Sequence, residues 1–294
     1  MTSRQICVVA SDLDRTLIYS TRGAELPAGS DVRLRLVERD GAQAPLSHLT
    51  ERAAELLTEL ADRAVFVPVT TRTVEQYRRV RLPGAAGSPA YAVCANGGRL
   101  LVAGEPDRDW DAVVATRLAE GGAPLAEVVD RLTRCGAPDW MLKRRVADGL
   151  FAYLVVERDR LPEAWLAELT HWCAERGWVV SLQGRKVYAV PRALTKSGAV
   201  AEVVRRVAGR GEAAGAAGGP PDGVPVELLA AGDSLLDADL LLAADRSWRP
   251  GHGELAEQGW TAPQLTALVR RGALAGEEIL AAFLAHVRGP AGRG

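Results

Sequence analysis

Four short apolar runs, each closing on polar residues and separated by helical periodicity, most constrain what this chain can fold into. Residues 6–11 (ICVVAS), 65–69 (VFVPV), 90–95 (AYAVCA) and 226–230 (VELLA) are short and almost unbroken in their apolar character. Such runs read as strands buried on both faces, as in a parallel sheet covered by helices. From Thr50, a plausible N-cap, Ala53, Leu56, Leu57, Leu60 and Ala61 follow helical spacing without a full capping box. Pro68 within VFVPV implies a strand end or a bulge. A helix is predicted over 74–81, and residues 94–98 close the third run with Asn96-Gly97-Gly98. This alternation argues for an α/β sheet with right-handed crossovers.

Other segments decorate that sheet. Residues 20–47 hold Gly, Pro and an alternating stretch (VRLRLV), which suggests a small hairpin or flap. Residues 100–190 read as a separate unit: helices within 110–135, a strand at 151–157, a helix at 161–176, and strands at 178–182 and 186–190. Its tryptophans Trp110, Trp140, Trp165, Trp172 and Trp178 are expected mainly in the core. A helix is predicted over 195–209, residues 211–225 have the composition of a flexible linker, and two helices are expected within 254–287. The tail GPAGRG is expected to be disordered. The expected architecture is a Rossmann-like parallel sheet with helices on both faces (residues 1–99 and 191–294) plus a smaller α+β cap (100–190).

Composition narrows the partners. The chain has 294 residues, 48% of them apolar, with a net charge of -1. That supports a sizeable core and argues against nucleic acid as the partner, because phosphate-backbone binding shows as a basic surplus. Cys7, Cys94, Cys135 and Cys173 form no CxxC pair and read as buried free thiols, in keeping with a reducing cytoplasm. The start lacks a signal peptide's apolar region and no run of about 18 apolar residues occurs, so a soluble, cytoplasmic protein is expected. Lysines are scarce: Lys143, Lys186 and Lys196 stand against 33 arginines.

Four pieces carry candidate chemistry, and each follows a predicted strand or opens a helix: residues 12–16 (DLDRT), 70–72 (TTR), Lys196, and 232–237 (GDSLLD). Ligands bind at the C-terminal ends of strands in open parallel sheets, so all four could meet in one crevice. Asp12 and Asp14 leave their strand two residues apart, which puts both carboxylates on one side. One can attack phosphorus while the other handles protons; a structural loop or a calcium site is the alternative. Asp233 and Asp237 can supply oxygen ligands to Mg²⁺, or simply cap a helix. The Thr70 hydroxyl can hold a phosphoryl oxygen or cap a helix. Lys196 at a helix start opposes the macrodipole, which a bound phosphate or an aspartate cluster would explain.

Together, DLDRT (12–16), VPVTTR (67–72), ALTKSG (193–198) and GDSLLD (232–237) resemble, in order, the four motifs of the haloacid dehalogenase superfamily of aspartate-nucleophile phosphotransferases. The insert between the second and third motifs resembles the Cof-like, type-IIB capped branch, which includes sucrose-phosphate, mannosyl-phosphoglycerate and trehalose-phosphate phosphatases. The resemblance implies an aspartyl-phosphate on Asp12 and Asp14 as general acid/base. It implies that Thr70 and Lys196 steady the phosphoryl group. Mg²⁺ would be held by Asp12, the Asp14 carbonyl and Asp233, with Asp237 assisting directly or through water. Many relatives carry Gly at the positions of Arg15 and Thr71, so Thr71 is the alternative to Thr70. The segment 246–254 (RSWRPGHGE) replaces a familiar small-residue loop, and His252 within it reads as a surface or turn residue rather than a catalyst.

The leading expectation is a phosphomonoester hydrolase acting on a small phosphorylated molecule such as a sugar phosphate. A phosphotransferase or mutase with the same chemistry and a non-catalytic phosphate-binding protein are the alternatives. Candidate substrate contacts are Thr16, Thr71, Arg72, Asn96, and the basic insert residues Lys143, Arg145 and Lys186. The insert's basic clusters also contain Arg144 and Arg185; a solvated face is the competing reading.

Overall fold

In the computed structural model, which describes residues 6–84, 89–134, 139–214 and 225–289, strand β1 (Ile6–Asp12) runs through the middle of an eight-stranded sheet. On one side of it lie β12 (Val226–Ala231), β13 (Arg246–Arg249) and β14 (Leu265–Ala267), all parallel. On the other lie β4 (Val65–Val69) and β5 (Tyr91–Cys94), also parallel, then β6 (Arg99–Val102) and β7 (Glu105–Pro106), which run antiparallel. Alternation along each strand divides the core in two. Val8, Ala10, Val67, Val69, Val93 and Ala230 face one side, and Val9, Phe66, Ala92, Leu229 and Ala231 face the other.

Helices cover both faces. The first face meets α6 (Lys196–Ala214) and α7 (Ala238–Ala243) through Val200, Val203, Leu240 and Leu241. The second meets α1 (Glu51–Ala61) and α9 (Gly272–Arg288) through Leu56, Leu57, Leu60, Ile279, Leu280 and Phe283. Each such side chain, fully buried, stabilises the fold by about 1.5–3 kcal/mol. A hairpin of β2 (Leu34–Arg39) and β3 (Pro45–Thr50) leads into α1, whose N-cap Thr50 accepts from the Ala53 N–H at 2.9 Å.

A second, four-stranded antiparallel sheet has the order β10 (Trp178–Gln183), β11 (Lys186–Pro191), β9 (Phe151–Val156), β8 (Met141–Ala147). One face packs Leu154, Val156, Val180 and Val187 with α4 (Leu125–Arg134) and α5 (Glu163–Ala174). The helix α3 (Arg108–Glu120) buries Trp110 and lies against β6. Trp140, Trp178 and Trp248 are buried as well.

The structure departs from the sequence reading in several places. The helix expected over 74–81 stops at α2 (Val74–Tyr77), because the Arg81 N–H turns to the Val37 carbonyl of β2. β8 was hidden by its run of exposed charges, which an edge strand tolerates. β6, β7, β13 and β14 are too short to show a period. Of the two helices expected within 254–287, the first is a single turn, α8 (Glu254–Glu257). Residues 211–214 of the expected linker extend α6; the rest of that linker, Cys135 and residues 290–294 lie outside the described residues. Cys94 and Cys173 are buried free thiols and Cys7 is partly buried. Among the described residues no helix is long and apolar enough to cross a membrane.

Candidate active site

The C-terminal ends of β12, β1 and β4 are adjacent, so Asp233, Asp12 and Thr70 emerge side by side. Asp12 is the last residue of β1 and is buried. The turn after it is tight: the Leu13 carbonyl accepts from the N–H groups of Thr16, Leu17 and Ile18, and Arg15 takes a left-handed φ of 65°. The Thr16 hydroxyl donates to Asp12 Oδ2 at 3.2 Å.

His252 fixes that turn from the far end of the chain. Its Nδ1 accepts the Gly272 N–H at 3.1 Å, so the proton sits on Nε2, which donates to the Arg15 carbonyl at 2.7 Å. Burial, the largest influence, pulls its pKa down to about 4. The imidazole is therefore a neutral brace holding a strained backbone. Sequence reading took it for a surface or turn residue, but it is buried; both its partners lie far away in sequence, which left no local signal.

Lys196 opens α6 and is fully buried. Its ammonium lies 2.7 Å from Asp12 Oδ1 and 2.5 Å from Asp237 Oδ1. Burial favours its neutral form, but the two carboxylates outweigh this and hold its pKa above the ordinary lysine range. The loop before it depends on Gly97, at φ 90°, where a Cβ would stand 2.0 Å from the Thr195 carbonyl oxygen. Asn96 donates its amide to the Leu194 carbonyl at 3.0 Å. It thus braces the entry to α6, and no contact joins it to the acids among the described residues.

Asp12, Asp233 and Asp237 offer carboxylate oxygens that all lie within 4.8 Å of one another. Burial pushes Asp12 upward, with Lys196 opposing and Asp237 adding to the rise. Burial, then the charges of Asp12 and Asp237, push Asp233 well above its ordinary value. Among the described residues two cations touch these three acids: Lys196, and Arg15, whose Nε is 3.1 Å from Asp233 Oδ2. Negative charge remains in excess, and every donor is a hard oxygen, a set that fits Mg²⁺ or Ca²⁺. Asp237 is already well occupied. Its Oδ2 accepts from the Asp233 N–H, the Ser234 N–H and the Ser234 hydroxyl at 3.1, 2.9 and 2.7 Å, so it shapes the loop that presents Asp233.

Asp14 points elsewhere. Arg72 grips it with two bonds, Nε to Oδ2 at 2.7 Å and Nη2 to Oδ1 at 2.8 Å. Burial alone would raise Asp14, but the guanidinium brings its carboxyl down to about 2. Arg72 is oriented from behind by the buried carboxylate of Glu38, 2.7 Å from Nη1, which also accepts from the Ser47 hydroxyl at 2.6 Å. A β-bulge between Leu36 and Glu38 turns Glu38 inward, so alternation along VRLRLV could not have revealed it.

The two threonines diverge. Thr70 is buried and its Oγ1 accepts from the Arg72 N–H at 3.2 Å. Thr71 meets the Tyr188 hydroxyl of the small sheet at 3.3 Å. Lys186 lies over the rings of Tyr153 and Tyr188, 5.8 and 5.9 Å from their centroids, within electrostatic reach of Asp14. Strand register puts Lys143 and Arg145 on that same face of the small sheet, on its exposed edge strand and away from the acids. Arg144 points to the opposite face.

No protein-family model matches the sequence, and no curated protein matches it significantly. Solved structures do share its fold. Sucrose-phosphatase from Synechocystis, solved with sucrose and phosphate, aligns over 95% of this chain and 98% of its own, with a TM-score of 0.58 at 15% identity. A Thermoplasma acidophilum protein aligns over 96% of this chain and 100% of its own, with a TM-score of 0.57 at 12% identity. The C-terminal domain of C. albicans trehalose-6-phosphate phosphatase aligns over 95% of this chain and 92% of its own, with a TM-score of 0.54 at 13% identity. The likeness is one of fold, a mostly parallel sheet between helices joined to a smaller antiparallel sheet.

Proposed function

We propose that this chain is a Mg²⁺-dependent phosphomonoester hydrolase of the haloacid dehalogenase type, with Asp12 as nucleophile. The observation that carries the reading is the position of Asp12: at the end of a central parallel strand, bonded to Lys196 and Thr16, within one carboxylate cluster with Asp233 and Asp237. The fold shared with two sugar-phosphate phosphatases adds weight.

The steps follow from the residues. An oxygen of Asp12 attacks phosphorus, the bond to the leaving oxygen breaks, and an aspartyl-phosphate forms. Lys196 and the Thr70 hydroxyl offset and hold the phosphoryl charge, with Thr71 as the alternative hydroxyl. Asp14 supplies a proton to the leaving oxygen, then takes one from the water that hydrolyses the aspartyl-phosphate. Because Arg72 keeps Asp14 ionised, Asp14 takes up its proton from solvent water once phosphate oxygens draw the guanidinium away. Asp12, the Asp14 carbonyl and Asp233 would hold Mg²⁺, with Asp237 orienting them. When bound, the ion neutralises charge between the anionic nucleophile and the phosphate.

Within residues 100–190, the small antiparallel sheet acts as the cap that selects the leaving group, chiefly through Lys186, Tyr153 and Tyr188. Lys143 and Arg145 lie farther out on the same face, where they meet a larger leaving group. A small phosphorylated metabolite such as a sugar phosphate suits this mix of aromatic faces and cationic groups. The test is phosphate release from phosphosugars, nucleotides and an aryl phosphate, with and without Mg²⁺, for wild type and Asp12→Asn. Mg²⁺-dependent release that vanishes in the variant is the expected result. No release by wild type on any of them overturns the hydrolase reading and leaves transfer to a sugar hydroxyl as the reaction to seek.

A further inference from the structure

Glu254 stands where the small sheet meets the acidic loop. It is half-buried, and the burial raises its pKa. It accepts three hydrogen bonds: from the Ser181 hydroxyl at 2.6 Å and the Leu182 N–H at 3.1 Å, both on β10, and from the Leu235 N–H at 3.0 Å, two residues after Asp233. A carboxylate partly withdrawn from water needs donors from the protein, and here two of the three come from β10, so the set is complete only while β10 is docked.

A second thread runs beside it. The Gln183 amide nitrogen donates one hydrogen to Ser181 Oγ at 3.2 Å and the other to Ser234 Oγ at 3.0 Å. Each hydroxyl then passes its own hydrogen on, Ser181 to Glu254 and Ser234 to Asp237 Oδ2. Asp237 Oδ1 in turn accepts from Lys196, which bonds Asp12. Donors and acceptors match at every link, with hydrogens running to Asp237 from Gln183 through Ser234 on one side and from Lys196 on the other. The Leu255 N–H also bonds the Asp233 carbonyl, so the start of α8 packs directly on the acidic loop.

We propose that Glu254, with Gln183, is a positioning residue that couples docking of the small sheet to the geometry of the Asp233–Asp237 loop. The acids then reach their working arrangement when the leaving-group side of the site is covered. This deepens the hydrolase reading, yet its first test needs no turnover.

The test is amide hydrogen exchange on the full chain. Glu254→Ala should raise exchange at both Leu182 and Leu235 about tenfold or more, the effect of losing a hydrogen bond to a charged group. Ser181→Ala, a milder change within β10 that keeps the fold, should also quicken Leu235 across the interface. Arg158→Ala is the control, because the Arg158–Glu257 pair (3.0 Å) joins the same two parts without touching the acidic loop. It should leave Leu235 as in wild type. In thermal-shift titrations, Glu254→Ala should raise the Mg²⁺ concentration for half-maximal stabilisation about tenfold, again scaled to that lost bond. The proposal is overturned if Ser181→Ala leaves Leu235 protected, or if Arg158→Ala loosens Leu235 as much as Glu254→Ala does. Failure of wild type to release phosphate would remove the hydrolase reading and leave the exchange result to be judged alone.

Discussion

At the residue scale the site is a set of charges held by neighbours distant in sequence. Lys196 is tolerated at a helix N-terminus, against the macrodipole, because Asp12 and Asp237 face it at 2.7 and 2.5 Å. His252 is held neutral so that one nitrogen can accept and the other donate. This gives a pH signature. The unfolded imidazole protonates near its ordinary value of 6.5, whereas the folded one resists until about pH 4. The unfolded state therefore binds more protons in between, and the contribution of His252 is full above pH 6.5 and lost as pH falls through 4. The whole shift is worth about 3 kcal/mol. Urea midpoints should fall from pH 7 to pH 4.5, and more shallowly in His252→Gln, which keeps a donor and an acceptor without titrating. Equal slopes in both proteins would remove His252 from this account.

At the element scale, the loop from β5 into β6 and the loop entering α6 sit back to back. Gly97 makes that contact possible: its φ of 90° suits glycine, and the Thr195 carbonyl fills the space a Cβ would need. Gly97→Ala adds backbone strain to a clash with main chain that cannot rotate away. It should cost at least about 2 kcal/mol in urea unfolding and displace Lys196 from Asp12. A variant with wild-type stability and wild-type phosphate release would show that the two loops part freely. The same scale explains the shortened α2: its capping box, Thr73 with Gln76, starts a helix that the β2 pairing of Arg81 then stops.

At the scale of the whole molecule, the acids join separate parts of the chain: β1, the loop after β12 and, through Lys196, α6. An ion bound by Asp12 and Asp233 binds only the folded state and so stabilises it globally. Mg²⁺ at about 100 times its dissociation constant should add about 2.7 kcal/mol, seen as a higher melting temperature than in EDTA. Asp233→Asn should lose most of that increment. If it keeps the full increment, the ion binds elsewhere.

The parallel strands β1, β4, β5 and β12, the flanking helices and the second α+β unit were legible because apolar runs and helical periods are local facts, set by burial on two faces or one. That Asp12 and Asp233 lie together was legible too, since they stand at or just past the ends of β1 and β12, neighbouring parallel strands whose ends meet. Their partners were not. Glu38 turns inward at a bulge, His252 bonds residues 15 and 272, and Glu254 joins β10 to the loop after β12. Such choices depend on which distant donors a buried group meets, a matter no local pattern encodes. Sequence alone therefore determined the longer elements and the candidate groups at their ends. Tertiary structure decided which of those groups pair, because a buried charge takes whatever complement the fold brings to it.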